Sequence, residues 1–363
     1  MHVTKPLHFK VTAALLALTL IFCFSSCKKS EAETTSKTTT KKTVTTTKNN
    51  DIIDPLTGLQ DLDPAASGKR PIAVVVQNSE AARPQWGMCS PDIILEGLAE
   101  GGYTRMLWFY SDVNSIPKVG SIRSARIDFL EMAEGFDAIF VHCGGAQTAY
   151  AAIKARGIDT IDGADYLGKY MFRDQQRLKK VSMEHTVYTT GDLLSQCISD
   201  HNYDTKLKDG YSNILSFNKE GAPEKYSAGT CTELRIMYSY NFTYTFKYNA
   251  DTKTYYNFIG HDTLTKFTQD GGQQVNFTNV VILYFPSYKI INYKGSVDMD
   301  LSGGTGLLIS NGTYENITWE KGNTPSNTLK LKDHNGDTLR LNAGKSYIGL
   351  VPKSNASSTV ITQ

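Results

Sequence analysis

The chain has 363 residues, 40% of them hydrophobic and 20% charged, which is room for about two domains of ordinary globular composition. Lysine and arginine number 38 against 36 acids, a net charge of +2, so no global basic field argues for nucleic acid. The charge is uneven: residues 51–363 hold 30 bases and 34 acids, a net −4, and only the first 50 residues are basic.

Lys5 and Lys10 precede an apolar run from Val11 to Phe24, 14 residues broken only by Thr12 and Thr19. At about 1.5 Å per residue the run is short for a bilayer span and has the layout of a secretory signal, residues 1–26. The following Phe24-Ser25-Ser26-Cys27 resembles the lipobox of bacterial lipoproteins, with Phe24 where Leu is usual. That resemblance implies cleavage before Cys27 and a diacylglycerol on its thiol, Cys23 leaving with the signal; the alternative is a plain signal peptide. Residues 27–50 form a tether, whose 28–50 stretch carries nine Thr and six Lys. It has too little apolar surface to offset its ordering entropy and is expected to be disordered. Its lysines could touch anionic headgroups, although a plain solvated spacer is the simpler reading.

From Arg70 onward, strand and helix patterns alternate. Pro71–Gln77 reads as a strand buried on both faces. Ser90-Pro91 reads as a helix start, with a stop at Gly101-Gly102. Strands follow at 105–110 and 137–143, and helices at 124–134 and 146–156 with Gly157 as terminator. The expected fold of 51–215 is therefore an α/β domain, a mainly parallel sheet in three layers. From about residue 216 the texture becomes aromatic and β-branched, with Asp270-Gly271-Gly272, Asn311-Gly312 and Asn335-Gly336 as turn sites. Asn-Gly between alternating segments is a strong hairpin marker, so 216–353 is expected to be an antiparallel all-β domain. Its strands are expected near 234–248, 254–259, 279–292, 296–301, 306–310, 313–319, 328–332, 337–341 and 346–351. Residues 354–363 are expected to be a flexible tail.

Cys89, Cys143, Cys197 and Cys231 are spaced by dozens of residues. They form no C-x-x-C pair and no zinc spacing, and read either as one or two disulfides or as buried thiols. No metal and no cofactor is expected. Ser302-Gly303-Gly304-Thr305-Gly306 reads as a tight hairpin. Asp333-His334-Asn335-Gly336-Asp337 reads as a turn, because a calcium loop would need a Glu at position 12.

The densest polar cluster lies in the α/β part: Glu100-Gly-Gly-Tyr-Thr-Arg105, Gly120-Ser-Ile-Arg123-Ser124-Ala-Arg126 and His142-Cys-Gly144-Gly145. Ligands of open α/β sheets sit outside the carboxyl ends of strands. Guanidinium forks with glycine amides at such a place suit phosphate or carboxylate. The expected site is a concave one formed by Arg123, Ser124, His142, Gly144, Gly145, His185 and Tyr188, with Arg105 and Arg126 at its edge or beneath it. The alternative is a structural brace in which Arg123 and Arg126 pair with Asp128, Glu131 or Glu96. His185 beside a carboxylate (Glu96, Glu100 or Glu184) could act as general base, or could be a hydrogen-bonded core histidine. No nucleophile elbow, P-loop or H-E-x-x-H occurs.

Several of these segments together resemble a known family. Arg70-Pro-Ile-Ala-Val, Ala82-Arg83-Pro84-Gln85, Pro91-Asp92-Ile-Ile-Leu-Glu96, Glu100–Arg105, Gly120–Arg126, Asp137–His142, Phe172-Arg173-Asp174, Glu184-His185-Thr-Val-Tyr188-Thr189 and Asn342–Pro352 are similar to those of the YerB-type bacterial lipoproteins. That family consists of a domain of unknown function with a C-terminal β region. Gln77 and Thr186 depart from its pattern. The resemblance implies an envelope-attached lipoprotein of two parts, on the extracytoplasmic face of the cell membrane, and brings no established reaction. The leading expectation is a non-catalytic module binding an anionic envelope polymer, glycan or protein partner through the arginine-rich cleft. The other is an envelope hydrolase of a phosphate- or carboxylate-bearing substrate that uses His185 with a carboxylate such as Glu96.

Overall fold

The computed structural model describes residues 51–363 apart from Asn213, Tyr293 and Lys294; the signal sequence, Cys27 and the tether lie outside the described residues. β1 (Ile72–Gln77) is buried along its whole length, as its unbroken apolar run requires. The next element is a correction. The expected helix after Ser90-Pro91 is β2 (Ile93–Leu98), again buried at every position. The β-branched Ile93-Ile94 pair suits a strand, and burial on both faces hides the alternation that would have revealed one. Gly101 and Gly102, at φ 58° and 79°, do not stop a helix but turn the chain into β3 (Thr104–Tyr110). The Ala99 N–H donates to the Tyr103 carbonyl across that turn at 2.8 Å.

β3 lies between β1 and β2 and runs antiparallel to both. β4 (Val119–Gly120) follows, then β5 (Ile139–His142), parallel to β1, and β6 (Thr160–Asp162), parallel to β5. The sheet is thus mixed and not mainly parallel, because a tight two-glycine turn can only join antiparallel neighbours. β7 (Phe172–Arg173) and β8 (Val187–Thr189) join β4 in a small separate sheet. The helices α1 (Ile127–Glu134) and α2 (Gln147–Arg156) lie where their periodicity puts them, α2 ending on Gly157 at φ 62°. α3 (Gly163–Tyr166) and α4 (Gly191–Asp200) are additional. Among the described residues these are the α-helices, none longer than ten residues, so the architecture is a mixed sheet with few helices.

The second half of the chain completes that sheet and adds another. β2 pairs in parallel with Ser346–Pro352, which pairs in parallel with Asn279–Phe285. Gly303–Ser310 and Thr313–Glu320 follow antiparallel, giving eleven strands in all. The Asn311-Gly312 hairpin forms as expected, with φ 48° and 75°. The segment Gly303–Gly306 is no turn but part of a strand; a Cβ on Gly304 or Gly306 would strike the Tyr284 or Ile282 carbonyl. A six-stranded, wholly antiparallel sheet is built around Glu233–Ser239, Phe242–Asn249 and Thr254–Ile259. The long run expected at 234–248 is a hairpin broken at Tyr240-Asn241. The tail is also ordered: Val360–Thr362 pairs with Glu233–Arg235, its β-branched residues closing an edge that would otherwise expose unpaired amides. Between the sheets, the fully buried Tyr347 packs on Phe246 and Phe277, at 5.0 and 5.4 Å between ring centroids. All four cysteines of the body are free thiols.

Candidate functional site: a cleft between two sheets

Residues 120–125 run beside the carboxyl ends of β1 and β5. The Arg123 N–H donates to Val75 O at 2.9 Å, Cys143 N–H to Arg123 O at 3.0 Å, and Ala125 N–H to Gly144 O at 2.9 Å. This wedge places Arg123 where strand ends and the start of β3 converge. A cleft of about 1330 Å³ opens there between the central and the antiparallel sheet. Three of the sequence-derived residues line it: Arg105, Arg123 and His185. Glu100 and Glu184, considered as partners, line it too.

The arginines are partly satisfied. Arg105 is buried, its Nη1 donating to Ser124 O at 2.8 Å and its Nη2 to Glu100 at 3.2 Å, while its Nε has no partner. Burial, and then the neighbouring Arg126 charge, lower its pKa to about 9. Arg126 pairs with the same Glu100 and donates to the Ala125 carbonyl, so one carboxylate answers two guanidiniums beneath the cleft. Arg123 has one engaged donor, Nη2 on Glu184 at 2.8 Å, and its Nε has none. Neither Arg123 nor Arg126 uses the partners Asp128, Glu131 or Glu96 of the brace arrangement. Glu184 is half exposed (49% for its side chain). Burial pushes its carboxyl up, but the Arg123 charge and hydrogen bond outweigh that and hold it below the ordinary glutamate value. His185 Nε2 lies 3.4 Å from Glu184, its Nδ1 is unpartnered, and burial lowers its pKa, which keeps the ring neutral at pH 7.

The other expected residues lie elsewhere. Ser124 contributes its carbonyl, which accepts from Arg105 and Arg126, and not its side chain. His142 is wholly buried, its Nδ1 2.8 Å from Gly144 O and 3.6 Å from Asp162. Gly144 N–H is bound by Asp162, and Gly145 abuts the Tyr150 ring. Tyr188 packs edge-on against Trp86, with Lys118 Nζ 4.2 Å from its ring centre. None of these lines the cleft. Glu96 does not line it either: it is fully buried and accepts from Asn78 (2.8 Å), Tyr244 (3.0 Å) and Tyr347 (2.8 Å). Burial raises its pKa. Through Tyr244 it ties the central sheet to the second one.

Several lining residues were not legible as site residues in the sequence. Arg83 donates to Asn78 Oδ1 at 3.2 and 3.1 Å, and its guanidinium lies 5.0 Å from the Phe267 ring centre and 5.5 Å from that of Phe242. Its loop is braced by Arg177, which donates to Ala82 O and Pro84 O at 3.3 and 2.5 Å. Tyr103, at the β2–β3 turn, meets Phe242 edge-on at 5.4 Å and is half exposed (52%). The Arg83-Pro84 motif was visible; the contacts with Phe242 and Phe267, about 160 and 180 residues away, had no local signature.

Comparison with known proteins agrees with this architecture. Residues 56–204 match the model of a protein of unknown function (DUF3048) N-terminal domain, and 234–348 that of the corresponding C-terminal domain. The "Putative lipoprotein YerB" of Bacillus subtilis (strain 168) is 33% identical over 307 residues, 84% of this chain and 87% of that protein. The chain belongs to the YerB family. The crystal structure of YerB from Bacillus subtilis superposes with a TM-score of 0.72 at 29% identity, covering 86% of this chain and all of that one. The family boundary near residues 204–234 divides the sequence, yet the central sheet takes strands from both parts. No helix of the described residues is long and apolar enough to cross a membrane.

Proposed function

We propose that this YerB-family protein is a lipid-anchored envelope module that binds an anionic ligand in the cleft through Arg123, without chemistry of its own. The observation that carries the reading is Arg123 on the cleft wall, with a single engaged donor and a partner carboxylate, Glu184, that is itself half exposed. A guanidinium with donors to spare is suited to a second carboxylate or phosphate. Arg105 and Arg126 lie behind it and add positive field against the shared Glu100. A binder fits better than a hydrolase because each carboxylate considered for His185 is already engaged: Glu96 by three hydrogen bonds inside the protein, Glu100 by Arg105 and Arg126, and Glu184 by Arg123. The anchor is Cys27, by the sequence resemblance and by the name of the Bacillus relative, and it places the body on the extracytoplasmic face of the cell membrane.

The test uses the full chain in detergent, immobilised and exposed to envelope polymers. Wild-type protein retains an anionic polymer at about 50 mM salt and releases it at about 500 mM, as screening shortens. Arg123→Ala retains at least about tenfold less. Equal retention by the two proteins would contradict the reading.

A further inference from the structure

We infer that the ligand is an acidic glycan: a sugar chain whose carboxylate- or phosphate-bearing unit sits on Arg123 in place of the Glu184 carboxylate. The inference rests on the anion-binding reading above and names the class of ligand. Three features of the cleft point to sugar and not simply to charge. The first is Tyr103. Its ring is half exposed at the cleft and buttressed edge-on by the buried Phe242. An aromatic face presented to a cleft that also carries charged and polar groups matches the apolar C–H face of a pyranose while leaving its hydroxyls free. The second is the neutral polar lining: Gln77, Asn241 and Thr268 line the cleft together with the charged residues. Amides and hydroxyls that both donate and accept suit a polyol. The third is a pair of unpartnered groups, Ser79 Oγ and His185 Nδ1. Both atoms are shielded from solvent; a ligand hydroxyl, able to donate or accept, suits either, whereas an anion can only accept.

The edge of the antiparallel sheet at the cleft argues against the obvious competitor, an acidic peptide. The edge strand Thr265–Lys266 is two residues long, too short to template an added strand, which takes its affinity from a run of main-chain hydrogen bonds. Glu184 in turn acts as an internal occupant. Its carboxylate holds the Arg123 guanidinium at 2.8 Å, and its exposed stem can swing outward when a ligand carboxylate or phosphate arrives.

Binding of the full chain in detergent is measured by calorimetry against four polymers: polygalacturonate, phosphorylated dextran, plain dextran and poly-L-glutamate. The expected result is that one or both acidic glycans bind at least about tenfold more tightly than polyglutamate, and that plain dextran does not bind. The stronger of the two acidic glycans identifies the anion. Tyr103→Ala, its fold checked by melting temperature, should lower the affinity for acidic glycans to that for polyglutamate and so remove the preference for sugar. Arg123→Ala should weaken every polyanion; its melting temperature, compared with that of the wild type, separates loss of contact from loss of fold. Equal binding of polyglutamate and the acidic glycans, with Tyr103→Ala neutral, would overturn the glycan inference and leave the anion cleft standing. Binding of plain dextran as tightly as its phosphorylated form would overturn the charged part of both readings, as would polyanion binding that is indifferent to a folded Arg123→Ala.

Discussion

Ser111 Oγ lies 2.5 Å from Asp54 Oδ2 and 2.9 Å from Asp92 Oδ2. A hydroxyl has one hydrogen and can donate to only one of them; the second contact is a hydrogen bond only if a carboxyl carries a proton. Burial first, and then the nearby Asp54 charge, raise the Asp92 pKa to about 7, and Asp54 is raised as well. The sign follows from linkage. An aspartate whose folded pKa lies above its unfolded one binds more protons in the native state, so its contribution to stability is present at low pH and lost as pH rises from about 4 through about 7. Between pH 5 and pH 8 the loss from this one group is about 2–3 kcal/mol. Asp92→Asn keeps the shape and cannot titrate. Urea unfolding of both proteins at pH 5, 6, 7 and 8 should show the variant gaining on the wild type by about that amount across the range. Parallel stability curves would refute the shared-proton arrangement.

Three other outcomes follow from named contacts. Tyr244→Phe removes the donor that reaches the buried Glu96 carboxyl from the second sheet and should lower the unfolding free energy by about 1.5–3 kcal/mol, measured in urea; a change below about 0.5 kcal/mol would mean that the Glu96 hub does not hold the two sheets together. Glu184→Gln removes the charge that competes for Arg123, so polyanion affinity should rise severalfold in calorimetry, and a fall would show that Glu184 belongs to the ligand contact instead. Cys27→Ser should shift the protein from the membrane fraction to the soluble fraction or leave it unprocessed, as fractionation and immunoblotting report; membrane attachment at the normal mature size would contradict the anchor.

What the sequence disclosed follows the range of its physical signals. α1 and α2 were legible from their periodicity and from Gly157, and the Asn311-Gly312 hairpin from turn chemistry. β2 was misread because a strand buried on both faces shows no alternation, and because Ser90-Pro91 imitates a helix cap. With β2 misplaced, the antiparallel β2–β3–β1 order could not be seen, nor could the parallel insertion of Ser346–Pro352 beside β2. The cleft shows the same division. Arg105, Arg123 and His185 were found by charge and position near strand ends. His142 and Tyr188 carried similar local marks but point into packing, and burial is not written in a tripeptide. Tyr103 lines the cleft beside Phe242, 139 positions away, a neighbour that no local pattern announces.

Binding of the glycan at Arg123 is tested by a crystal structure of the protein with a short oligomer of whichever acidic glycan binds more tightly. The expected result is a sugar-borne carboxylate or phosphate within hydrogen-bond distance of the Arg123 guanidinium, the Glu184 side chain turned away from it, and a sugar face against Tyr103. An oligomer bound elsewhere, with the 2.8 Å Arg123–Glu184 pair intact, would contradict it.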